Sequence, residues 1–149
     1  MIQIRSMVAK GELAAEGAWG RSMKRAEHYE SDILFFFEGK PEALALYQCL
    51  LRRMEERFPE AAVRVQKTQI SFYGRHLFAM VSLPRRRKEQ GILVSLGLPQ
   101  RLESLRIAAA VEPYPGRWTH HIPVKEPTQI DDELLDWMQE AWAFAESKG

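Results

Sequence analysis

The stretch that decides the fold is residues 62–98, which read AVRVQKTQISFYGRHLFAMVSLPRRRKEQGILVSLGL. Apolar and polar residues alternate here with a period of two, and aromatic and β-branched residues are frequent, which predicts β-strands. Gly74 marks a hairpin turn, because glycine supplies the positive φ that such turns require. Pro84 ends the next apolar run, and Gly91 opens another strand. The stretch therefore predicts consecutive antiparallel strands.

Helical periodicity flanks this stretch on both sides. Residues 41–58 place apolar side chains on one face at 3.6-residue spacing, and a second such face follows Pro127, with acidic residues at 131–133 in its first turn. A last strand is predicted over residues 117–124, and one or two helical turns over residues 102–111. The order predicts an α+β fold with N-terminal helices, a mainly antiparallel sheet of four to five strands and a C-terminal helix. The helices are expected largely on one face of the sheet.

Length and composition exclude several classes of protein. The 149 residues, of which 46% are hydrophobic and 28% charged, can form a core without disulfides or a structural metal. No apolar run is long enough to span a membrane, and no apolar leader follows the first basic residues. The single cysteine, Cys49, suits a reducing compartment. We therefore expect a soluble cytoplasmic protein without membrane contact.

Two units are predicted along the chain. Residues 1–30 are expected to form an N-terminal helical extension, and residues 31–149 a single α+β domain. The extension carries an apolar stripe formed by Ala15, Ala18, Trp19, Met23 and Ala26. This stripe either docks on the domain or joins two copies, so the sequence leaves both a monomer and a homodimer through residues 1–30 open.

Charge is strongly segregated along the chain. Residues 1–60 carry 9 positive and 10 negative side chains, residues 61–125 carry 11 and 3, and residues 126–149 carry 1 and 7. The net charge of +1 therefore conceals a middle section at +8 and a final section at −6. Such a middle section attracts anions unless the acidic last helix packs against the basic strands and neutralises them. Both alternatives stay open at this point.

Several kinds of catalytic site have no motif here. No GxSxG, GxxxxGK or GxGxxG occurs, and the histidines and cysteine lack the spacing of a zinc site, so no metal and no cofactor is expected. In the last strand, His120 shares a face with Trp118 and Ile122, which predicts a histidine in the core. His121 points to the opposite face, beside Thr119, and is the best proton-transfer group near neutral pH.

Four segments carry a resemblance to a known family: KTQISF at 67–72, LFAMV at 77–81, GRWTHH at 116–121 and DDEL at 131–134. On these segments the chain resembles, over roughly residues 31–146, a bacterial family catalogued as a domain of unknown function, number 5655. More loosely, its strand-hairpin-strand part is similar to a small family described as frataxin-like or iron-chaperone-like. The first resemblance implies a compact α+β domain with no established activity. The polar positions that match it are Lys67, Thr68, Arg117 and His121.

These positions coincide with two features of the pattern. The strand alternation changes parity around Lys67 and Thr68, where a bend or bulge is expected, and His121 lies on the outward face of the last strand. We therefore predict a binding module whose polar sheet face receives a small anionic ligand or an acidic segment of a partner protein. The predicted ligand-binding residues are Lys67, Thr68, Tyr73, Arg117 and His121.

Two alternative functions remain. The basic run Arg85, Arg86, Arg87 and Lys88 is suited to phosphate contacts, which predicts a nucleic-acid-binding accessory protein with salt-dependent affinity. The second alternative is an enzyme that uses His121 as general acid or base. It ranks last because the sequence shows no nucleophile, metal or carboxylate partner for this histidine.

Overall fold

The computed structural model describes residues 23–86 and 88–148. The strands in these ranges are β1 (Lys24–Arg25), β2 (Ala62–Val65), β3 (Ile70–Tyr73), β4 (Leu77–Ser82), β5 (Ile92–Leu98), β6 (Ala109–Tyr114) and β7 (Arg117–Val124). The helices are α1 (Tyr29–Phe36), α2 (Pro41–Arg57) and α3 (Asp132–Glu146), and a 3-10 turn at Pro127–Gln129 precedes α3. The predicted α+β class and its order of helices, strands and a final helix are confirmed.

All the strands join one mixed sheet in the order β1-β2-β3-β4-β5-β7-β6, in which β1 pairs parallel to β2 and every other pair is antiparallel. The prediction of four to five strands is therefore wrong, because the described chain has seven. β1 is only two residues long, too short for a periodic signal. The helical turns predicted over residues 102–111 do not form: residues 102–108 are irregular, and β6 begins at Ala109, where the backbone pairs with β7.

Pairing register divides the sheet into two faces. Phe72, Ala79, Leu96 and His120 lie in one row across β3, β4, β5 and β7, and the adjacent row holds Ser71, Met80, Ser95 and His121. The Phe72 side is covered by helices: Tyr47 of α2 stacks on Phe72 at 6.5 Å between ring centroids, and Trp142 of α3 meets Phe78 at 4.9 Å. We call this side the helix face and the Ser71 side the open face.

The turn at Gly74 forms as predicted, but for a different reason. The positive-φ glycines of the described chain are Gly39, Gly91 and Gly116, so Gly74 is not in the left-handed region. A Cβ at Gly74 would lie 2.9 Å from both the Glu146 Oε2 atom and the Trp142 ring. A side chain at this position would therefore displace the Glu146 or Trp142 side chain, because α3 packs directly on this turn.

The N-terminal part of the chain is described only from Met23 onward. Ala15, Ala18 and Trp19 of the predicted stripe lie outside the described residues. Met23 is buried, and Lys24 pairs with Ala62 rather than continuing a helix. The N-terminal extension and the homodimer through it stay predictions. Among the described residues, no helix combines the length and the apolar character needed to cross a bilayer.

Candidate ligand-binding groove

A groove of about 1020 Å³ lies on the open face of the sheet. Its floor comes from β4, β5 and β7, and residues 83–86 and 89–90 of the β4–β5 connection form one of its walls. Apolar contacts come from Met80, Leu83, Pro84, Leu93 and Pro123. The uncharged polar and titratable lining groups are Thr68, Gln69, Ser82, Gln90, Ser95 and His121. The charged lining groups are Arg85, Arg86, Lys125 and Glu89.

A serine–histidine contact lies at the centre of the floor. Antiparallel pairing of β5 with β7 places Ser95 directly opposite His121, and the Ser95 Oγ atom is 2.8 Å from the His121 Nδ1 atom. Ser95 is buried, whereas His121 is half-buried and lines the groove. Burial, followed by the charge of Arg85, lowers the pKa of His121. The imidazole is therefore neutral near pH 7, and the hydrogen bond fixes the orientation of its ring.

His120 has the opposite environment, as the alternation predicts. It is fully buried on the helix face, and its Nε2 atom accepts a hydrogen bond from the Leu102 backbone N–H at 2.9 Å. Within the described residues, its buried Nδ1 atom has no hydrogen-bond partner. Burial lowers the pKa of His120. The prediction of a core histidine is confirmed, and this ring is structural and neutral.

The lowered pKa values of the two histidines predict that the protein loses stability in mild acid. Each has a folded-state pKa below its ordinary value, so the unfolded chain binds protons more readily than the folded one. The stability that depends on their neutrality is complete above about pH 6.5 and decreases as the pH falls toward the lowered folded-state values. We expect the free energy of unfolding, measured by urea titration, to decline between about pH 7 and about pH 5.

The matched variants for this measurement are His120→Gln and His76→Gln. The first removes the fully buried histidine of the pair and should make the decline shallower, while the second removes an exposed histidine and serves as the control. A wild-type profile that is level over this range would contradict the prediction.

The acidic last helix does not neutralise the groove. Its carboxylates bind arginines elsewhere: Asp132 lies 2.6 Å from Arg53, and Asp136 lies 2.9 Å from Arg57, both on α2. At the start of the helix, Arg106 reaches Asp131 at 2.9 Å and also contacts Glu133. Across residues 23–86 and 88–148, no carboxylate of α3 forms a salt bridge with an arginine or lysine of the groove. The acidic C-terminal section therefore neutralises Arg106 of the basic middle section but forms no salt bridge with Arg85, Arg86 or Lys125 of the groove.

Comparison with protein families gives one match. The model of a family described as Domain of unknown function (DUF5655) matches residues 35–145. The chain belongs to this family. No curated protein and no solved structure matches it, and these comparisons do not support the looser frataxin-like similarity. Membership confirms the resemblance read from the sequence, and the family's description supplies no activity.

The DUF5655 domain brings only part of the predicted site together. Thr68 and His121 both line the groove. Lys67 is exposed beside Thr68 in the β2–β3 turn, outside the lining. Tyr73 also lies outside the groove, and the Arg64 Cζ atom is 5.1 Å from the centroid of the Tyr73 ring.

Arg117 lies at the far end of β7 from the groove. An ideal Cβ on Gly97 would fall 2.5 Å from the Arg117 Cζ atom, so the guanidinium lies against the backbone of β5. Of the basic run assigned to nucleic acid, Arg85 and Arg86 line the groove, Lys88 is exposed, and Arg87 lies outside the described residues.

Sequence reasoning did not find Ser95 or Lys125 as site residues of the DUF5655 domain. Lys125 directly follows β7 and carried no pattern of its own. Ser95 carried a usable signal, because it interrupts the apolar run of β5 and, once β5 and β7 are paired, lies opposite His121. A polar residue in an otherwise apolar strand indicates an exposed or functional position.

Proposed function

We propose that this domain binds a small organic anion in the groove on the open face of the sheet. The observation that carries the proposal is a groove of about 1020 Å³ whose mainly apolar lining includes the cationic side chains Arg85, Arg86 and Lys125. Glu89 is the single carboxylate in that lining. Pockets for small ligands typically measure about 300–1,000 Å³, so the space suits a molecule rather than a lone ion.

The chemistry of the lining supports an amphipathic ligand. Guanidinium groups form charge-assisted, two-pronged hydrogen bonds with carboxylate, sulfate and phosphate oxygens. Apolar side chains such as Met80, Leu93 and Pro123 offer contact area for an uncharged body beside the charged end. We therefore propose an anion attached to an aromatic or aliphatic group.

The distribution of the basic residues supports a small ligand over an extended polyanion. Arg64 lies over Tyr73, and Arg117 lies against Gly97. Outside the groove, the arginines of the open face are therefore engaged with neighbouring groups of the protein. Within it, two arginines and a lysine surround one concavity. This convergence is the geometry that a compact anion needs.

The test is calorimetric titration of the purified protein with benzoate, phenyl sulfate and phenyl phosphate. Each charge-assisted hydrogen bond contributes about 1.5–3 kcal/mol, so the double variant Arg85→Ala/Arg86→Ala should weaken binding about a hundredfold. Arg64→Ala is the matched control, since Arg64 is an arginine of the same sheet face outside the groove. It should retain wild-type affinity.

Two outcomes would overturn the proposal. One is that none of the three anions binds at low salt, and the other is that the double variant binds as well as wild type. If a labelled oligonucleotide binds instead, with an affinity that falls log-linearly with salt and depends on Arg85 and Arg86, the nucleic-acid alternative replaces this proposal. Titration with a labelled acidic peptide tests in the same way whether the groove binds an acidic segment of a partner protein.

The second candidate is acid–base catalysis on the bound anion, and one contact favours it. The hydrogen bond between Ser95 Oγ and His121 Nδ1 orients a neutral imidazole at the groove, as a general base requires. Catalysis would be established if wild type turns over a bound ester and His121→Gln still binds that ester but does not turn it over.

A further inference from the structure

The charged side chains that line the groove with His121 are mostly positive. The charged or titratable groups around it are Arg85, Arg86 and Glu89 of the β4–β5 connection, Lys125 just after β7, and buried His120 beside it in the chain. The neighbouring strands contribute Ser95 from β5 and Ala109 from β6, neither of which is charged. The empty groove therefore holds three cations and one carboxylate around a neutral ring.

We propose, resting on the anion-binding function above, that the charged end of the ligand is a phosphate monoester dianion and that His121 takes up a proton from solvent as it binds. The groove is then selective for a doubly charged anion, and binding is coupled to the protonation of one named residue.

The coupling follows from the sign of the local field. In the empty groove, burial and Arg85 both oppose a charge on His121 and lower its pKa. A dianion held by the arginines cancels the net charge of the three cations and Glu89, and a phosphate oxygen that contacts the ring then favours the imidazolium as a hydrogen-bond donor. A carboxylate or a sulfate ester carries only one charge, so it favours the imidazolium less. Proton uptake therefore increases the affinity for a phosphate monoester more than the affinity for a carboxylate or a sulfate ester.

The contact between Ser95 and His121 suits both protonation states. A serine hydroxyl can donate its proton to the Nδ1 atom of a neutral imidazole, or rotate and accept a proton from Nδ1–H of an imidazolium. The 2.8 Å contact therefore survives the change of charge without movement of the backbone. A carboxylate in place of Ser95 would favour the charged ring in the empty groove, and the coupling would be lost.

The probe is phenyl phosphate, which is mostly a dianion at about pH 7.5 because the second pKa of such esters is about 6. Calorimetry in buffers of different ionisation enthalpy measures the protons taken up per ligand bound. We expect a net uptake of a fraction of a proton per ligand bound for wild type. Phenyl sulfate, which has the same shape and one charge less, should bind about tenfold more weakly and with less uptake.

His121→Gln is the deciding variant. It should still bind phenyl phosphate through the arginines, about tenfold more weakly, and its proton uptake should fall to near zero. His76→Gln, which removes an exposed histidine, and Ser71→Ala, which removes the other buried serine of the same row, are matched controls with wild-type uptake.

Three results would overturn the inference while the proposed function stands: binding of phenyl phosphate without proton uptake, uptake that persists in His121→Gln, or equal affinity for phenyl sulfate. Absence of binding by every anion would overturn both proposals. If His121→Gln fails to fold, NMR titration of the wild-type imidazoles decides. The pKa of His121 must then rise when phenyl phosphate is added, and an unchanged value rejects the coupling.

Discussion

Replacing Gly91 with alanine is expected to lower the free energy of unfolding by on the order of 3 kcal/mol. Gly91 has a φ of +90°, and a Cβ there would lie 2.2 Å from the Val124 carbonyl oxygen and 3.0 Å from the Lys125 Cα atom. Both are backbone atoms, which cannot rotate aside as a side chain can. Since Ile92 pairs with Val124, the added methyl group would force β5 and β7 apart at this end.

Two other glycines distinguish the energetic cost of a backbone clash from the cost of a positive φ. Gly39 and Gly116 have φ values of +75° and +85°, and a Cβ at either position meets nothing within 4 Å. Alanine there should therefore cost only about 1 kcal/mol, the strain of a left-handed residue with a side chain. Urea unfolding of the three variants gives the comparison. A Gly91→Ala variant no less stable than the other two would contradict the register of β5 against β7.

The position of Gly91 also links the fold to the groove. It ends the β4–β5 connection, which carries Arg85 and Arg86, and Val124 and Lys125 lie directly against it. The close approach of the two backbones thus brings the arginine-bearing wall and the lysine after β7 to the same end of the sheet. A displacement here changes the spacing of all three cations.

Local sequence patterns determined much of this fold. Strands β2 and β7 and helices α2 and α3 have the periodicity of their own class, because each buries one face, whereas β3 to β5 are mostly apolar runs with buried residues on both faces. β6 has no such pattern: its side chains are mostly exposed, and Pro113 interrupts its hydrogen bonding. Its conformation depends on the edge of β7 beside it, which no local pattern of β6 encodes.

For the site, the sequence predicts the sheet face on which a strand side chain lies, but not which side chains of different elements come together. Alternation correctly placed His120 and His121 on opposite faces, but it does not give position along a strand. Arg117 and His121 share the open face, yet four residues at 3.3 Å each separate them by about 13 Å. Likewise, no strand pattern predicts that Arg85 and Arg86 of the β4–β5 connection line the same groove as His121. Their convergence is a tertiary event that depends on Gly91 and β7.

The second large effect is expected on the helix face, where Phe72→Ala should cost about 3–5 kcal/mol of unfolding free energy. Phe72 is fully buried in β3 and stacks on Tyr47 of α2. Alanine removes the ring and leaves a cavity between the sheet and the helix, because close-packed neighbours relax only partly. Urea unfolding followed by circular dichroism measures the loss.

Ser71→Ala is the matched control, because Ser71 precedes Phe72 and lies on the other face. It is equally buried, and its hydroxyl donates to Gln66 Oε1 at 2.7 Å and accepts from Gln69 Nε2 at 3.0 Å. Losing these contacts should cost about 1 kcal/mol. A Ser71→Ala variant as unstable as Phe72→Ala would show that the open face is also a structural core. The expected asymmetry instead leaves that face available for a ligand, since helix packing on the opposite side already supplies most of the stability.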